Sequence, residues 1–289
     1  MKKNIFRALC ASFAIALTSC EAPLLNDTPA DNITLTFTPT TIDMTRATNA
    51  ANYFTKLNVQ LFDHNGDKVF DKVKTQLSTD DDFCTMSLNL APGTYTIVAV
   101  GHSSTKSATI KSTESVQFTA TDGEKLTDTF CHCSQITVPT VSSATTQTLP
   151  MYRATSMIQF VLTDETVPTN FSHFLIEYTG GSANFNPTTL EGTTKSTQSE
   201  RRIRNSLNIH QAYTFPYNAT SCTLKMTCTA LASDGSSIRV RHFDAVPVTR
   251  NRITTYTGNF FTDGDGTFTQ SDFGFVVHTD WDGEINYDF

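Results

Sequence analysis

Tryptophan occurs once in 289 residues, at Trp281, which leaves little material for the stacked aromatic platforms that sugar-binding surfaces favour. A basic stripe is also missing. The net charge is −7, from 21 Lys and Arg against 28 Asp and Glu, and only Arg201-Arg202-Ile203-Arg204 gathers positive charge, which argues against a nucleic-acid surface. The chain has no H-E-x-x-H, no P-loop, no dinucleotide glycine pattern and no G-x-S-x-G elbow, and none of the seven histidines sits in a motif with a nucleophile. An enzyme is therefore not expected, and no cofactor is implied. Asp263-Gly264-Asp265-Gly266 resembles a calcium loop only briefly, since Phe268 stands where the EF-hand needs glycine and Gly274 where it needs glutamate. It reads as a hairpin turn. Asp80-Asp81-Asp82 reads as a solvated run. Cys131-His132-Cys133 has the look of half a metal site, but in a strand His132 points away from both thiols, and core-facing cysteines are expected.

What the chain does have begins at its start. Lys2, Lys3 and Arg7 precede an apolar stretch from Ala8 to Leu17, and Leu17-Thr18-Ser19-Cys20 closes it. The stretch is too short to span a bilayer, which takes roughly 20 residues. The pattern resembles a bacterial lipoprotein signal, and that resemblance implies cleavage before Cys20, lipidation of its thiol and two or three acyl chains, enough for lasting membrane attachment. Residues 1–19 are then the signal peptide and 20–32, with two prolines in EAPLLNDTPAD, a lipidated tether. After Cys10 and Cys20 are set aside, five of the seven cysteines remain. Cys222 and Cys228 lie on one apparent strand, about 20 Å apart at about 3.3 Å per residue, too far to bridge each other.

Hydrophobic residues make up 38% of the chain and 21 residues are Phe, so real cores can form, while abundant Thr and Ser favour strands. ITLTF (33–37) and KLNVQLF (56–62) alternate apolar and polar residues. The Asp63–Asp67 turn followed by KVFDKV reads as a hairpin. Ala91-Pro92-Gly93 turns into TYTIVAVGH, whose Ile97, Val98, Ala99 and Val100 are apolar on both faces, as in a central strand. Further strands are expected near 115–119, 126–132 and 135–139. PTVSSATTQTLP (139–150) lacks an apolar period and is the expected boundary. Beyond it MIQFVL, HFLIEY, TLKMTCTAL, IRVRHFDAV, ITTYTGNFF and FGFVVHT each have strand length, while SERRIRNSLNIHQ has room for a helical turn or two. The expected fold is all-β, two antiparallel β-sandwiches in series, over 33–145 and 146–289.

Several of these stretches, namely the lipobox at Cys20, LNVQLFDHNGDKV, LAPGTYTIVAVGH, MYRATSMIQFVL and VPVTRNRITTYTGNFF, together resemble the fimbrillin superfamily of Bacteroidota, and most closely its lipid-anchored fimbrial anchor or minor-subunit lipoproteins. The resemblance implies two tandem transthyretin-like β-sandwich domains, outer-membrane attachment through Cys20 at the cell surface, and fimbrial subunits as partners, bound by β-strand pairing. It also implies a possible processing site at Arg46, in Met44-Thr45-Arg46-Ala47, which a solvated loop arginine explains equally well. FGFVVHTDWDGEINYDF offers Phe273, Phe275, Val277 and Trp281 as a strand-exchange segment, or as the closing strand of the second sandwich. The alternative function is a surface lipoprotein that binds carbohydrate, with Tyr53, Tyr152, Tyr178, Tyr213 and Tyr217 as its candidate rings.

Overall fold

The structure, a computed structural model, describes residues 31–40, 50–119, 125–140 and 144–262, and the backbone of 274–278. Among these residues the fold is all-β apart from a single 3-10 turn at Ala50–Asn52, and no helix is long and apolar enough to cross a membrane. The first half contains β1 (Ile33–Pro39), β2 (Lys56–Phe62), β3 (Lys74–Leu77), β4 (Thr85–Leu88), β5 (Gly93–His102), β6 (Thr109–Ser112), β7 (Ser115–Gln117), β8 (Phe130–Val138) and β9 (Thr145–Arg153). Seven of them form one sheet in the order β3-β2-β5-β8-β9-β1-β4. Alternation decides how it closes on itself: Ile33, Leu35 and Phe37 of β1 meet Leu57, Val59 and Leu61 of β2 and Ile97 and Ala99 of β5 in one core.

Three expectations change here. The polar stretch 139–150 does not separate the halves, because its second half is β9, which runs parallel to β1 from Ile33↔Thr145 to Pro39↔Met151. Residues 146–153 thus lie in the first sheet, and the chain crosses to the second half at Ala154-Thr155. Threonines suit a strand whose neighbour supplies the ladder, and only Leu149 and Met151 need to reach the core. Likewise KVFDKV is not a second hairpin arm. It keeps a single bridge, Phe62↔Lys68, and the Gln60 side chain takes over the pairing: its Nε2 donates to Phe70 O at 2.9 Å and its Oε1 accepts from Phe70 N at 3.2 Å. The expected strands at 126–132 and 135–139 are one continuous β8.

The second half contains β10 (Ser156–Leu162), β11 (Phe171–Thr179), β12 (Gly181–Ser182), β13 (Asn184–Phe185), β14 (Gln198–Ile203), β15 (Ile209–Pro216), β16 (Ser221–Ala232), β17 (Ser237–Thr249), β18 (Ile253–Gly258) and β19 (Gly274–His278). A sheet β12-β15-β10-β18-β19 faces a sheet β14-β11-β16-β17 across a core of Phe160, Phe174, Ile176, Met226, Cys228, Phe243 and Tyr256. The opening strand β10 pairs in parallel with β18, as β1 does with β9, so the two halves repeat one topological device. SERRIRNSLNIHQ is not helical but forms β14 and the start of β15, because the alternating Gln198, Glu200 and Arg202 lie opposite the inward-facing Tyr178, Ile176 and Phe174.

A third core joins the halves. Val98 and Val100, on the other face of β5, pack with Ile110, Val116, Phe118, Phe185 and Phe215. The strand β13 of the second half pairs with β7 of the first, completing a three-stranded sheet β13-β7-β6. The connection is therefore a packed interface and not a loose linker.

Two positions in the first half carry predictions. A Cβ on Gly101 would sit 2.6 Å from ring carbons of the buried Phe54, so Gly101→Ala is expected to cost about 1–3 kcal/mol, read by urea denaturation. His102 is fully buried; its Nε2–H donates to Asn58 Oδ1 at 2.8 Å and its Nδ1 accepts from Ser104 N at 3.1 Å. Burial, with a smaller push from Lys56, lowers its pKa to about 3, and burial with Arg204 lowers that of His210 to about 4. Both rings stay neutral in the fold but take up a proton near pH 6.5 when unfolded. Their stabilisation is complete above that pH and is lost as pH falls below it, by about 2 kcal/mol for each ring between pH 7 and 5. Unfolding measured at both pH values checks this, and His102→Asn should remove about half of the dependence.

Candidate functional site

Cys20, Arg46, Phe273 and Trp281 lie outside the described residues. Phe275 and Val277 lie in β19, opposite Tyr256 and Thr254 of β18, so the C-terminal segment closes the end of the second half's sheet. Cys131-His132-Cys133 is split by the strand pleat. His132 donates from Nδ1 to Pro150 O at 2.7 Å and accepts at Nε2 from Ser134 Oγ at 2.7 Å, while Cys131 faces the third core. Among the described residues no group of three His, Cys, Asp or Glu could hold a metal ion, and Cys84, Cys131, Cys133, Cys222 and Cys228 are free.

The most elaborate polar chemistry lies where the chain crosses between the halves. Arg153, at the end of β9 and 7% exposed, grips Asp128 with two nitrogens, Nε to Oδ1 at 2.8 Å and Nη2 to Oδ2 at 2.9 Å, the bidentate geometry that is strongest for such pairs. Its Nη1 donates to Asn251 Oδ1 at 2.9 Å, and its guanidinium lies 4.6 Å from the centre of the Phe130 ring. Thr155 adds a hydroxyl bond to Asp128 Oδ1 at 3.3 Å, and its carbonyl accepts from Asn251 N at 2.8 Å. Asn251 holds a left-handed φ of 58°, which asparagine tolerates better than most residues. Burial lifts the Asp128 carboxyl above its ordinary range, and Arg153 and Thr155 pull against that.

Beside this joint, Lys125-Leu126 of the first half docks on the edge strand β14. Lys125 Nζ donates to Gln198 Oε1 at 2.8 Å, Leu126 N to Glu200 Oε1 at 3.2 Å, and Arg202 Nη2 to Leu126 O at 3.3 Å. Glu200 is fully buried, with Arg202 3.5 Å away, and burial raises its carboxyl. Above the docked segment opens a cleft of about 680 Å³ whose walls come from both halves. Tyr53 and Tyr213 line it together with Ser103, Thr105, Arg201 and Gln211. Of the other expected rings, Tyr178 is buried in the second core, Tyr152 is exposed, and Tyr217 lies under Lys195.

The pairing of Arg153 with Asn251 joins two stretches separated by nearly a hundred residues, MYRATSMIQFVL and VPVTRNRITTYTGNFF, which the sequence singles out as motifs. A model of a family of unknown function, DUF6562, matches residues 26–289, a span that contains both. The chain belongs to the DUF6562 family. No curated protein matches it by sequence. Among solved structures, this DUF6562 chain is similar to a candidate adhesin from Bacteroides ovatus, with 14% identity and a TM-score of 0.52, covering 89% of this chain and 96% of that one. A candidate adhesin from Bacteroides thetaiotaomicron matches with 14% identity and a TM-score of 0.51, over 90% and 100% of the two chains. A candidate polysaccharide-binding protein from the same organism matches with 12% identity and a TM-score of 0.50, over 88% and 98%. At such identities the likeness is one of fold, and it extends over both halves.

Proposed function

We propose that this protein is a lipid-anchored structural component of a cell-surface fimbria, an anchor or minor subunit held at the outer membrane through Cys20 and joined to other subunits by strand pairing. The observation that supports this most is the fold shared, over nearly the whole chain, with solved proteins described as candidate adhesins. The sheet ends add a physical route. β19 is the last strand of its sheet and pairs only with β18 among the described residues, so its outer edge offers backbone groups to a partner strand. The long edge strand β17 is less suited, since it carries Pro247 and two register breaks against β16, devices that discourage edge pairing. The neighbours described as candidate adhesins support a cell-surface location, and the lipobox supports attachment to the membrane.

Removal of residues 273–289 tests the C-terminal joint. The truncated protein is expected to keep its β circular-dichroism spectrum and a cooperative unfolding transition, and to stop capturing fimbrial subunits from a membrane extract. A truncated protein that fails to fold would instead make β19 an internal closing strand and contradict its role in exchange.

A further inference from the structure

We propose that the cleft between the halves binds a short acidic saccharide, with a uronate carboxylate held by the Arg201–Arg204 cluster; this goes beyond the fimbrial reading and does not depend on it. The cleft volume of about 680 Å³ falls within the 300–1,000 Å³ range of small-ligand sites. It is too confined for the roughly 800 Å² per partner of a protein interface. Its charge is uneven for a chain of net −7. Asp128, the single carboxylate in the lining, is already engaged by Arg153, and Arg202 on the wall is engaged by Glu200, which leaves Arg201 as the wall's unmatched cation, with Arg204 just past the end of β14, over the Phe171 ring.

Arg201 is exposed and, beyond its backbone pairing with β11, its side chain makes no hydrogen bond or ion pair among the described residues, so its planar fork is available to a carboxylate. Ser103, Thr105, Thr127 and Gln211 supply hydroxyls and a carboxamide of the kind that matches sugar hydroxyls, and half-buried Tyr53 and Tyr213 supply apolar ring faces with a polar tip. His210 also lines the cleft, 1% exposed, stacked on Phe174 at 4.7 Å, with neither ring nitrogen hydrogen-bonded. An unsatisfied buried ring of this kind is uncommon in a purely structural position. The motif that carries the charge, Arg201-Arg202-Ile203-Arg204, has no part in strand pairing at β19.

Isothermal titration of the full chain with tetragalacturonate tests the assignment, with maltotetraose and a tetraglutamate peptide as comparisons. Tetragalacturonate is expected to bind, and both Arg201→Glu and the cleft-filling Thr105→Trp to weaken it about tenfold or more. Lys111→Glu, the same charge change on the remote strand β6, should leave it unchanged. The proposal is overturned by absence of tetragalacturonate binding, by equal binding of maltotetraose or tetraglutamate, or by a loss in Lys111→Glu as large as that in Arg201→Glu.

Discussion

Arg153→Met is expected to destabilise the protein by about 2–4 kcal/mol, because it leaves the Asp128 carboxylate, whose side chain is only 19% exposed, without its cation. The wild-type pair is bidentate, and the same guanidinium also holds Asn251, so one side chain ties the end of β9, the approach to β8 and the turn before β18. Methionine fills much of the volume, which makes the lost charge the dominant change. The double variant Asp128→Asn, Arg153→Met should recover a large part of the loss, since two neutral side chains leave no bare charge inside. Urea denaturation of the wild type, both single variants and the double variant measures the coupling. A single-variant loss under about 1 kcal/mol would mean that water reaches the pair and that the joint rests on apolar packing alone.

Phe215→Ala is expected to cost about 3–5 kcal/mol and to weaken both halves together. Phe215 belongs to β15 of the second half, yet it packs in the shared core, stacked 4.4 Å from Phe185 and 5.9 Å from Phe118 of the first half. The ring is fully buried, and its removal leaves a cavity that two rigid sheets cannot readily close. If the halves unfold as one unit, tryptic susceptibility of both should rise at the same urea concentration. A biphasic transition in which only residues beyond 155 are weakened would show instead that the shared core contributes little.

Much of the fold is legible in the sequence because a strand with one buried face writes its period into the chain. Ile33, Leu35 and Phe37 announce β1, and the doubly apolar Ile97 to Val100 announce a strand with cores on both faces, which β5 has. β9 is hidden, since its first four residues are polar and its place depends on β1, more than a hundred residues earlier. β14 is hidden for a related reason: its Glu and Arg residues have high helix propensity, and only the sheet neighbour β11 and the docked Lys125-Leu126 make it a strand. The joint was half visible. Arg153 and Asn251 fall in motif-like stretches, but nothing local says that they meet, or that Asp128 in a polar loop would be the anion between them. The cleft was less visible still, because its two walls come from different halves and only the Arg201–Arg204 cluster left a trace in the sequence.

We propose that Cys20 is lipidated and that the chain behind it belongs to a surface fibre. Affinity capture of the native protein from a membrane extract, with mass spectrometry of its N-terminus and of the proteins that come with it, reads both parts at once. The expected result is an N-terminal peptide that begins at an acylated Cys20, together with fimbrial subunits in stoichiometric amount. A mature chain without lipid at Cys20, or a lipidated chain recovered with no fimbrial subunit from cells that bear fimbriae, would overturn the proposed function.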